Sequence, residues 1–123
     1  MLKEVVITTA SPEEAVDITQ EVQRAIAETG LQEGFIFIYV PHSTAAVSIH
    51  GRLREGEGPK LERMLKTAYP EGDAPGATRA AFVAPTEVGI IKDGRMLLGE
   101  DQRIYLYEFA GPATRKVYLY IGA

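Results

Sequence analysis

The 123-residue chain has no cysteine and no tryptophan, and only two histidines. Without cysteine there is no disulfide framework, no thiolate metal site and no cysteine nucleophile. No apolar run is long enough to span a bilayer. The start of the chain, Met-Leu-Lys-Glu, places charges where a signal peptide would need apolar residues. A cytoplasmic location is expected on these grounds. Positive charge is also short, with 13 Lys and Arg against 17 Asp and Glu, a net charge of −4. Such a surface repels phosphate backbones, so neither nucleic acid nor a membrane is an expected partner. The length suits one domain over residues 1–123, with one hydrophobic core.

The pattern along the chain predicts α+β. Residues 3–9 are rich in β-branched types and read as a strand. Ser11-Pro12-Glu13-Glu14 carries a capping-box signature. Ala15, Ile18, Val22, Ala25 and Ile26 follow at helical spacing, so the pattern predicts a helix of four to five turns ending at Gly30. Residues 34–41 form an apolar run expected as a strand covered on both faces. Residues 42–50 alternate, with His42, Thr44, Ala46, Ser48 and His50 on one face. Residues 51–58 read as a mobile loop, and a second helix is expected from Pro59 to Pro70. Another loop over 71–77 leads to short strands at 79–84 and 87–92. Asp93-Gly94 is a two-residue hairpin signal. Residues 103–109 and 115–121 are expected to pair as the last two strands, with Tyr105, Tyr107, Tyr118 and Tyr120 as one aromatic packing or subunit stripe.

Two blocks carry a resemblance. Val40-Pro41-His42-Ser43-Thr44-Ala45-Ala46-Val47-Ser48-Ile49 resembles the YjbQ-like pattern V-P-H-T-T-A-A-L-T-I. The second runs from Gly94-Arg95 through Gln102, Glu108, Gly111-Pro112 and Arg115 to Gly122. It is similar to the family's G-R-L-x-L-G-x-W-Q and E-x-D-G-P-R-x-R segments. The family is also known as secondary thiamine-phosphate synthase. The resemblance implies a YjbQ-like fold of two helices on a largely antiparallel sheet or sandwich, a homotrimer, and a thiamine-phosphate synthase activity. It carries His42, Ser43, Thr44, Gln102, Glu108 and Arg115 as site residues. Arg95, in the family's G-R pair, is a further candidate for a phosphate contact, or else a solvated arginine at a strand end. The chain departs from the pattern at His50 and Gly51 (usually Asn-Glu), Asp101 (Trp), Ala110 (Asp) and Ala113 (Arg). Two histidines expected after the second helix are missing.

His42 reads as a general acid/base, as a metal ligand, or as a histidine fixing the turn after Pro41. Ser43 and Thr44 are candidate donors to a phosphate or carboxylate. Alternation puts Glu108 and Arg115 on apolar faces, so each needs a partner, and the simplest partner is the other. An open pocket at that end would instead let Arg115 meet an anion. Three functions follow: a catalyst with His42 and Glu108 in catalytic roles, a binding protein for a phosphorylated small molecule, or an oligomeric scaffold with a decayed site. No cofactor or metal can be named from the sequence.

Overall fold

The computed structural model describes residues 1–54 and 76–123. Two antiparallel sheets pack around one core. The first has five strands in the order β1-β8-β3-β5-β6, and the second has three in the order β2-β7-β4. The strands are β1 (Leu2–Thr8), β2 (Glu14–Asp17), β3 (Glu33–Tyr39), β4 (Ala45–Gly51), β5 (Thr86–Lys92), β6 (Arg95–Met96), β7 (Gln102–Glu108) and β8 (Thr114–Gly122). Among the described residues two helices, α1 (Thr19–Thr29) and α2 (Gly76–Val83), accompany them. No helix among the described residues is long and apolar enough to cross a membrane.

The core is built from alternate residues of the strands and one face of α1. Ile18, Val22 and Ile26 of the helix segment meet Ile36 and Ile38 of β3, Val47 of β4, Ile104 and Leu106 of β7, and Leu119 and Ile121 of β8. The period-2 rule holds in β8, where Arg115, Val117, Leu119 and Ile121 are buried and Lys116 and Tyr120 are exposed. The hairpin between β5 and β6 turns at Asp93 (φ 54°) and Gly94 (φ 78°). Two successive left-handed residues are what such a turn requires, and Asp-Gly supplies them at low cost.

Several expectations are corrected. The helix does not begin at Ser11. Glu14 Oε1 accepts the N–H groups of Ala10 and Ser11, but in a bend rather than a helix start. Residues 14–17 then pair with β7. The ladder bonds the backbone of alternate residues in this stretch, whereas a first helical turn would leave its N–H groups open. Asp17 Oδ1 accepts from Thr19 N at 3.0 Å instead, where α1 begins. Within the single chain the run 34–41 is covered on one face, and Phe37 and Tyr39 on its other face are exposed, with no second sheet layer over them among the described residues. Residues 79–84 are not a strand. Residues 76–83 are helical, and the Ala-rich stretch favours that state.

The last two strands do not pair with each other. β7 pairs with β2 and β4, and β8 pairs with β1 and β3. The chain leaves one sheet at Glu108 and enters the other at Thr114. The four tyrosines therefore form no single stripe. The expected helix from 59 to 70 lies outside the described residues, as do 55–58 of the first loop and 71–75 of the second. Residues 51–54 are tied down, with Arg52 N donating to Asp101 O at 2.8 Å and Leu53 N to Tyr105 Oη at 2.8 Å.

Candidate functional site

The corner where the chain changes sheets gathers the most chemistry. Glu108 is the last residue of β7 and is fully buried. Arg115 follows the start of β8 and points to the same apolar side. Arg115 Nε donates to Glu108 Oε1 at 2.9 Å, and Nη2 donates to Oε2 at 2.5 Å. This is a two-point guanidinium–carboxylate contact that joins the two sheets.

Two further donors complete the carboxylate. Thr9 Oγ1 donates to Oε1 at 2.8 Å, and Ala110 N donates to Oε2 at 3.2 Å. Each oxygen thus accepts twice, which fills its capacity. Burial pushes the Glu108 carboxyl up, but the hydrogen bonds from Arg115, Thr9 and Ala110 outweigh it and hold the group below its ordinary value. Gly111 lies so close that a Cβ there would stand 2.4 Å from Ser11 O and 2.7 Å from Glu108 Cγ. Any side chain at 111 would displace the corner.

Thr44 and His42 sit beside this pair, on the turn before β4. Thr44 Oγ1 accepts from Arg115 Nη2 at 2.9 Å, and Thr44 O accepts from Phe109 N at 3.0 Å. His42 Nε2 accepts from Lys116 N at 3.0 Å. The β3–β8 register, carried past Tyr39↔Tyr118, sets Pro41 opposite Lys116. The imidazole therefore stands in for a backbone carbonyl just where β3 ends. Ser43 is exposed on the same turn. Sequence reasoning brought Glu108, Arg115 and Thr44 together but missed Thr9. A threonine at a strand end gives no signal of its own.

The other candidates lie elsewhere. Gln102 stands six residues along β7 from Glu108, about 20 Å at the rise of a strand. Its Oε1 accepts from Gly99 N at 2.7 Å and closes a turn. Arg95 is exposed in β6, opposite Lys92. His50 is on β4 while His42 precedes it, so the two do not share a strand face. His50 Nδ1 faces Gly51 O at 2.7 Å and therefore carries the ring proton. Its Nε2 accepts from Tyr107 Oη at 2.5 Å, and Tyr105 stacks on the ring with centroids 4.7 Å apart. Burial, with Tyr105 adding to it, pushes the Tyr107 phenol up to about 12. Tyr107 is thus a fixed proton donor at neutral pH. Among the described residues no group of three or more His, Asp or Glu gathers as metal ligands.

A family model described as UPF0047 protein YjbQ-like matches residues 3–122. The chain belongs to the YjbQ-like UPF0047 family. It is similar to the UPF0047 protein YugU of Bacillus subtilis, 34% identical over 128 aligned positions that cover 97% of each chain. A UPF0047 protein of Methanocaldococcus jannaschii is 34% identical over 129 positions, covering 98% of this chain and 94% of its own. Among solved structures, a structural-genomics target from Clostridium acetobutylicum superposes with a TM-score of 0.86 at 28% identity, over 100% of both chains. An uncharacterized conserved YjbQ/UPF0047 protein from Clostridium acetobutylicum gives 0.80 at 30% identity, over 98% of this chain and 99% of that one. The α+β architecture of the YjbQ-like family is thus the architecture of this chain.

Proposed function

We propose that this protein is a self-assembling, non-catalytic member of its family, and that copies meet through the outer face of the five-stranded sheet. One observation carries this reading. Leu2, Tyr120, Phe37 and Val88 stand side by side across four strands, and they are 64, 53, 43 and 58% exposed. Ile90 and Tyr39 extend the patch on either side of this row. The Phe35 and Phe37 rings meet edge to face within it, centroids 5.4 Å apart. Monomers seldom leave so continuous an apolar area in water, and interface cores are enriched in Phe and Tyr. Three copies are what the family resemblance implies. Light scattering tests this. The wild type should show a multiple of 13.4 kDa, and Phe37→Glu should show the single-chain mass. A wild type of single-chain mass contradicts the reading.

The finer activity implied by the resemblance joins a pyrimidine pyrophosphate to a thiazole phosphate. It would need a free cation for the departing pyrophosphate and a free acid/base. Arg115 spends Nε and Nη2 on Glu108, and His42 spends Nε2 on Lys116. These commitments favour the non-catalytic reading. A second reading, anion binding without turnover, has its own support. Arg115 Nη1 makes no hydrogen bond among the described residues, and His42 Nδ1 carries the ring proton when Nε2 accepts. Phosphate or pyrophosphate would then raise the melting temperature with no pyrophosphate released from the two substrates.

A further inference from the structure

β1 forms one edge of the five-stranded sheet. Its ladder with β8 runs without a bulge from Leu2↔Tyr120 to Thr8↔Thr114. Ile121 N donates to Met1 O at 2.9 Å at one end, and Thr9 N donates to Ala113 O at 2.8 Å at the other. Odd-numbered residues therefore bond to β8. The N–H and C=O groups of Leu2, Glu4, Val6 and Thr8 point the opposite way. No described strand lies on that side. β1 also has no proline to blunt this edge.

A cleft of about 370 Å³ opens beside it, lined by Lys3, Val5 and Val6 of β1 and by Glu21, Arg24 and Glu28 of α1. That volume falls at the low end of ligand sites. Lys3 Nζ and Glu28 Oε2 are paired at 2.8 Å across it. Glu21 is different. Its Oε2 is closed off from water and has no hydrogen-bond partner among the described residues. Arg103 feels the Glu21 charge but gives its Nε to Asp17 at 2.7 Å. A carboxylate oxygen removed from water calls for a donor, and a cationic donor most of all.

The edge calls for an extended backbone and the cleft for a positive side chain. We propose that β1 and this cleft dock an extended basic peptide. The peptide adds as a strand on the free N–H and C=O groups of Leu2, Glu4 and Val6. A lysine or arginine of the peptide pairs with Glu21, whose side chain lines the cleft and must turn to present its enclosed Oε2, while the peptide's alternate apolar side chains lie next to Leu2 and Val6 on the outer face. The proposal goes beyond the assembly reading and does not rest on it.

The test is fluorescence anisotropy of a labelled Lys-Val-Lys-Val-Lys-Val peptide on the full chain. Three comparisons go beside it: a Glu-Val-Glu-Val-Glu-Val peptide, the basic peptide N-methylated at alternate amides, and the Glu21→Gln protein. The basic peptide should bind. The acidic peptide should not, and N-methylation or Glu21→Gln should each weaken binding by about tenfold or more, the worth of one charge-assisted contact. A melting curve for Glu21→Gln matching the wild type shows that the variant is folded. No binding of the basic peptide at millimolar protein overturns the proposal, and so does equal affinity for Glu21→Gln. Cross-links joining β1 of one copy to β1 of another would name a second copy as the occupant and overturn it as well.

Discussion

Glu108 and Glu21 are both carboxylates with oxygens enclosed by protein, and their surroundings differ in one respect. Glu108 accepts four hydrogen bonds, two of them from a guanidinium. Glu21 leaves an enclosed oxygen without any among the described residues. The first carboxylate is saturated by its own chain and holds two sheets together. The second is incomplete within the chain and lies in a cleft beside an open strand edge. A buried charge by itself therefore does not mark a binding site. What separates architecture from recognition here is whether the chain fills the charge's hydrogen-bonding capacity.

The largest effect expected from this contrast comes from Arg115→Met. It leaves Glu108 charged, buried and without its cation, which should cost about 3–5 kcal/mol of unfolding free energy in urea. Replacing Glu108 by Met in the same chain should recover more than half of that loss, because no orphan charge remains. A double variant no better than the single one would show that the corner depends on polarity rather than on charge balance.

A smaller effect is expected with acid. The folded state holds the Glu108 carboxyl below its ordinary value of 4.5. The stabilisation from this group is therefore complete above that value and is lost as pH falls through it toward the lower folded value. Asp17 works in the same direction, because its bonds from Arg103 and Thr19 outweigh the burial that pushes it up. Unfolding free energy measured from about pH 6 down to about pH 3 should fall, and Glu108→Gln should flatten part of that limb. An unchanged slope in the variant would separate acid stability from the corner.

How much of this was legible depended on the range of the signal. The Asp93-Gly94 turn could be read because both residues state their backbone conformation locally. The Glu108–Arg115 pair could be read because alternation put both on apolar faces, where a charge needs a partner. The reading still placed them in one hairpin, whereas they bridge two sheets. No residue between Phe109 and Ala113 reports which strand comes next. The Ser11-Pro12-Glu13-Glu14 signature misled for a related reason. Glu14 makes the local bonds of a cap, but residues 14–17 are claimed by β7, and that pairing is invisible at short range. Glu21 could not be singled out either. The helical stripe picks out the apolar positions and gives no sign that Glu21 Oε2 is enclosed.

The comparison is tested most directly by measuring the unfolding free energies of Glu108→Gln and Glu21→Gln side by side at neutral pH. The account predicts a loss of about 2–3 kcal/mol for Glu108→Gln, where charge-assisted bonds are given up. For Glu21→Gln it predicts a change within about 0.5 kcal/mol in either direction, since no bond is there to lose. Equal losses in the two variants, or a larger loss at Glu21, would contradict it. Glu21 would then be a structural group of the chain rather than a recognition group for the cleft beside β1.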